Sequence, residues 1–189
     1  MLKYKFLISF IFGCAASLGL APYSFYFFTI LALILSLFLL DTIKDYKKAL
    51  YIGFFYGLGF HFCSLYWIAI SFKVANFGGY FFGYIAIIFL CSFLSVFSAI
   101  SFFLVKHLNK KDTLFNKSIL IIFIFSVFDW IKANIFWGFP WTPISAIWAN
   151  NEFTLLPFAH LGIRGYSLLT YVLIVCFCIF CSFLILIKF

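Results

Sequence analysis

The sequence predicts an all-α membrane protein: a polytopic helical bundle of about six transmembrane helices with both termini cytoplasmic. Three observations lead there. Of 189 residues, 67% are hydrophobic and only 10% charged, with a mean hydropathy of +1.19. A soluble domain of this size cannot hide that much apolar side chain, because charged residues normally supply about a quarter of composition. The apolar residues also fall into runs long enough for a hydrocarbon core of ~30 Å at about 1.5 Å per residue. Finally, the basic residues divide unequally between the two sides that those runs define.

Lys3 and Lys5 precede an apolar run over 6–20. "IFGC", ending at Cys14, hints at a lipoprotein cleavage box, but Phe12 is too bulky for one and further apolar runs follow at once. An uncleaved first helix is therefore expected rather than a signal peptide. "LAPYS" makes a short turn, since Pro22 lacks the N–H that helical continuation requires. A second span covers 25–40, and the charged "DTIKDYKK" follows it. The third covers 49–72, closed by a turn at Gly78 and Gly79 in "NFGGY". After the fourth, 80–105, "KHLNKKDTLFNK" leads to the fifth, 118–137. An outer interfacial loop, 138–166, precedes the sixth, 167–187. Residues 1–189 read as a single transmembrane domain without an inverted repeat or a hydrophilic domain.

With the N-terminus inside, ten basic residues face the cytoplasm: Lys3, Lys5, Lys44, Lys47, Lys48, Lys106, Lys110, Lys111, Lys117 and Lys188. Three face out: Lys73, Lys132 and Arg164. The positive-inside rule selects this orientation. The net charge of +8 is thus a topology signal scattered between apolar runs, and no nucleic-acid partner is expected. The six cysteines all lie within apolar runs. Cys176, Cys178 and Cys181 point in different helical directions with no His or acid beside them, so they read as small apolar side chains, and no metal or cofactor is expected.

The outer end of the chain carries the distinctive residues. Trp67, Trp130, Trp137, Trp141 and Trp148 all fall on that side, although interfacial aromatic belts normally mark both leaflets. Either the belt is unbalanced or the outer surface does something besides anchoring. Asp129 and Lys132 are three apart, so a helix puts them on one face. They form either a structural ion pair or a polar site for a lipid headgroup, with Lys132 as a point charge for phosphate. Gly138 is placed to end that helix, and Pro140 and Pro143 prevent its restart, so "WGFPWTPISAIWANN" reads as an interfacial cap. Gly53 and Gly57 in "GFFYGLG" form a small-residue face for close helix packing. His61 reads as a satisfied packing residue, and His160 and Arg164 as interfacial anchors. No nucleophile–base pair is present, so no catalytic residue is assigned.

In order along the chain, "LAPYS", "GFFYGLGFHFCSLYWIAIS", "NFGG", "DWIKANIFWGFPW" and "LPFAHLGIRGYSLLTY" together resemble the membrane part of the apolipoprotein N-acyltransferases. Gly-Phe-Pro-Trp, six residues after a basic residue with an acid three before it, is the most specific element. That family usually has Glu and Arg where this chain has Asp129 and Lys132, which preserves charge and spacing but not a bidentate guanidinium grip. "GIRGYS" also departs from the family's Gly-x-Tyr-Gly form. The resemblance implies a bacterial inner-membrane protein whose partners are a phospholipid acyl donor and the diacylglyceryl-cysteine N-terminus of a lipoprotein. It also implies a Glu-Lys-Cys triad in a nitrilase-like domain, which has no counterpart in these residues, so this chain alone is expected to be inactive. A separate nitrilase-like chain is one way to complete it. Trp67, Asp129, Trp130, Lys132, Trp137, Gly138, Phe139, Pro140 and Trp141 are the candidate lipid- or substrate-binding residues, the aromatic ones lining the route of the acyl chain. The alternative is a small multi-span scaffold or transporter subunit.

Overall fold

The computed structural model describes residues 2–110, 113–135 and 138–187, with side chains except those of residues 2, 182 and 184–187. Described residues form seven α-helices and one 3-10 turn, without strands. α1 (Leu2–Ser17) and α2 (Tyr26–Asp41) are joined by the Pro22 turn, where Phe25 N–H donates to Leu18 O at 2.8 Å. Thr29 Oγ1 donates to Ala16 O at 2.6 Å and locks the two helices together. α3 (Tyr46–Leu65) starts at Asp45, whose carboxylate accepts from the Lys47 N–H at 2.9 Å. α6 (Leu114–Asn134) starts likewise at Thr113, so side-chain caps replace the missing helical acceptors.

Between them lie α4 (Ile68–Val74) and α5 (Gly79–Leu108). Gly78, at φ +69°, supplies the left-handed residue that turns the chain into α5. The expected continuous third span is in fact bent by 42° between α3 and α4, beside Tyr66 and Trp67. No proline or glycine marks this bend. α4 turns to follow α5, where Ala69 is buried against Gly83, a Cβ on which would lie 2.8 Å from Ala69 Cα. α7 (Glu152–Ile187) also departs from expectation, beginning well inside the predicted loop and breaking at Gly162, φ +64°. The rest of that loop holds the 3-10 turn, Ile144–Trp148.

α3 is central, packed on α1 on one side and α5 on the other. Its glycines make this possible. A Cβ on Gly53 would lie 2.5 Å from Ser98 O on α5, and one on Gly59 would lie 2.2 Å from Phe10 O on α1. With lipid as apolar as the side chains, such close backbone approach is a main source of helix association. The principal core joins Leu37, Ile52, Phe102, Ile147 and Ile174, so the 3-10 turn is buried with the helices. A smaller core, Leu65, Ala69, Ile87, Cys91 and Leu94, has Phe139 packed against it.

Among the described residues, α5, α6 and α7 are long and apolar enough to cross a membrane, and the bent α3–α4 pair makes a fourth if counted as one. α1 and α2 have 16 residues each, about 24 Å at the helical rise. The two ends of the bundle differ. At one, Lys5 Nζ donates to Thr42 Oγ1 at 2.8 Å and Lys117 pairs with Asp41. At the other, Asn150 Nδ2 donates to Ser24 O, and the long loop holds Trp141 and Trp148.

Candidate functional site

The last two turns of α6 carry Asp129 and Lys132 on one face, and they pair at 3.1 Å between Nζ and Oδ1. Lys132 is only 6% exposed, and its ammonium also donates to Thr142 O at 3.2 Å. Asp129 Oδ2 accepts from Tyr171 OH on α7 at 2.7 Å. The exposed Arg164 reaches the Asp129 main-chain oxygen at 3.3 Å. One ion pair therefore joins α6, the outer loop and the part of α7 after Gly162. A buried charge is tolerated in such a bundle because every atom of the pair finds a partner.

The loop that follows is folded around Lys132. Gly138 adopts φ +76°, and a Cβ there would stand 2.3 Å from Ala133 O. This bend lets Phe139 N–H donate to Lys132 O at 3.0 Å. Lys132 thus holds the loop twice, by its carbonyl at Phe139 and by its ammonium at Thr142. Further along, Ser167 Oγ donates to Ser145 Oγ at 3.0 Å and Trp148 Nε1 donates to Thr170 Oγ1 at 3.0 Å. Trp148 also packs between Tyr26 and Tyr166, with centroids at 5.1 and 6.4 Å. These contacts supply the partners that lipid withholds from irregular backbone.

Two cavities meet at the ion pair. The outer one, about 50 Å³, is lined by Asp129, Lys132, Phe139, Pro140, Pro143 and Arg164 among others. The inner one lies deeper and includes Tyr56, His61 and Tyr171. Of the predicted site residues, Asp129, Lys132, Phe139 and Pro140 thus come together, and Gly138 makes the bend that brings them there. Trp130 and Trp141 are 56% and 64% exposed, Trp141 lying against Phe139 with centroids 5.3 Å apart. Trp67 stands apart, exposed at the α3–α4 bend beside Ile70 and Val74. Trp137 lies outside the described residues. Tyr171, Thr142 and His61 were not singled out as site residues by pattern, because they reach Asp129 and Lys132 only across the bundle.

Residues 12–186 match the family model for the apolipoprotein N-acyltransferase N-terminal domain. The apolipoprotein N-acyltransferase of Wigglesworthia glossinidia brevipalpis is 27% identical over 171 residues, covering 90% of this chain and 34% of the relative. That of Vibrio parahaemolyticus is 30% identical over 162 residues, covering 84% and 30%. That of Vibrio vulnificus is 26% identical over 167 residues, covering 86% and 31%. The chain spans about a third of the length of these relatives. It belongs to the apolipoprotein N-acyltransferase family, and it corresponds to that family's N-terminal, helical membrane domain.

Proposed function

We propose that this chain is the membrane platform of an acyltransferase that moves an acyl chain from phospholipid to the diacylglyceryl-cysteine N-terminus of a lipoprotein. The observation that carries this reading is the match over residues 12–186 to a domain that makes up about a third of the relatives. On this reading α1, α2, α3–α4, α5, α6 and α7 are the six spans, both termini are cytoplasmic, and the membrane is the bacterial inner one. The chain is inactive alone and acts with a nitrilase-like domain that supplies nucleophile and base.

Within the platform, roles divide by exposure. Lys132 is buried, Asp129 is half-buried and the two are bonded to each other, so they act as the strut that holds the outer loop. Gly138 makes its bend. Trp67, Trp130, Phe139, Pro140 and Trp141 offer apolar and aromatic surface to lipid chains, and Trp137 belongs with them by sequence position. Arg164 is the exposed cation at the outer cavity, suited to a headgroup phosphate beside a pair of zero net charge. The test is reconstitution with a nitrilase-like domain of the family, followed by transfer from phospholipid to a diacylglyceryl-cysteine peptide. Activity with both components and none with either alone is the expected result. Activity of the catalytic domain unaffected by this chain overturns the reading.

A further inference from the structure

The inner cavity carries chemistry that the ion pair does not use. His61 on α3 is 2% exposed, and its Nδ1 lies 2.8 Å from Gly57 O one turn earlier. A carbonyl only accepts, so Nδ1 carries the hydrogen and Nε2 is left as a lone-pair acceptor. Nε2 has no hydrogen-bond partner among the described residues, and neither has Oγ1 of Thr142, which is 4% exposed. Both residues line the same cavity, together with Tyr56, Asp129, Lys132 and Tyr171. Unmatched polar atoms in a membrane bundle are costly, and one cavity lined by both of the residues that carry them points to a place for a ligand.

The surroundings define what that ligand is. The cavity provides about 60 Å³, room for a few water-sized groups at about 10–15 Å³ each. Asp129 has one oxygen on Lys132 and the other on Tyr171, so neither charge of the pair is left uncompensated. Among the described residues no three His, Cys, Asp or Glu side chains stand together for a metal. A bare imidazole nitrogen calls for a donor, and a hydroxyl such as that of Thr142 serves as donor or acceptor.

We propose that this cavity is a binding site for a small neutral O–H group, which donates to His61 Nε2 and bonds to Thr142 Oγ1. Water or a lipid headgroup hydroxyl supplies that chemistry. The site lies on the inner side of the Asp129–Lys132 strut, and the proposal stands without the acyltransferase reading.

The experiment is nitrogen NMR of the whole chain with labelled histidine. His107 and His160 are exposed, so His107→Gln and His160→Gln together leave His61 as the sole histidine signal. Spectra are compared in vesicles of phosphatidylcholine, which lacks a headgroup hydroxyl, and of phosphatidylglycerol, which has two. An Nε2 resonance shifted to its hydrogen-bonded position in both lipids, with magnetisation transfer from water, assigns the ligand as water. The same shift in phosphatidylglycerol alone assigns a lipid hydroxyl. Thr142→Val should move the resonance again. A bare-acceptor resonance in both lipids, or one indifferent to Thr142→Val, overturns the proposal.

Discussion

Lys132 is the residue on which the outer loop depends, and the physics of its burial sets what its loss does. Removing the ammonium leaves the Asp129 carboxylate in the bundle with its ion-pair partner gone and the Tyr171 hydroxyl as its hydrogen-bond donor. Lys132→Met should therefore lower stability by about 3 kcal/mol, since breaking a buried pair strands the remaining charge. Thermal unfolding in detergent, followed by tryptophan fluorescence, measures it. Asp129→Leu combined with Lys132→Leu should cost less than Lys132→Met alone, because no charge is then left unpaired. Gly138→Ala is a second point of failure. Its φ of +76° and the Ala133 oxygen 2.3 Å from the added carbon oppose any side chain, so a loss of about 2 kcal/mol is expected in the same assay.

At the scale of elements, α3 decides how the bundle closes. Its small face was legible in "GFFYGLG", because glycines one turn apart are visible as spacing. Gly53→Val should force α3 off Ser98 and destabilise the protein by roughly 1–3 kcal/mol, with Gly53→Ala milder. Equal melting temperatures for the two variants and the parent would contradict this packing. The start of α7 inside the predicted loop was not legible. Pro157 lies inside this helix, where Asn151 caps the segment by accepting from Phe153 N–H at 2.9 Å and Gly162 absorbs the break. The bend of α3 into α4 was equally silent, since no proline or glycine marks it and it goes with the packing of α4 on the next helix, α5, at the Ala69–Gly83 contact.

For the whole molecule, the predictions concern sidedness and catalysis. In a cysteine-free variant that keeps its melting temperature, Trp141→Cys should react with a membrane-impermeant maleimide in intact spheroplasts. Lys110→Cys should react only after permeabilisation. The reverse pattern would overturn the orientation drawn from the positive-inside rule. In a complex with the nitrilase-like domain, Trp141→Ala should reduce acyl transfer several-fold with protein levels unchanged, whereas Arg164→Ala should raise KM for phospholipid more than it lowers kcat. The second split distinguishes headgroup binding from a general loss of fold.

What the sequence by itself determined is whatever is local or compositional. Hydropathy dictated an all-helical protein in lipid, prolines and glycines marked the Pro22, Gly78 and Gly138 turns, and three-residue spacing paired Asp129 with Lys132. Those signals are local because a turn or a helix face is set by neighbours within a few positions. Only the tertiary structure decided that Lys132 clasps Thr142, that Tyr171 answers Asp129, and that His61 looks into the same cavity from another helix. Such contacts depend on how closely helices approach, and that distance is fixed by glycines and side-chain volumes acting across the bundle rather than along the chain.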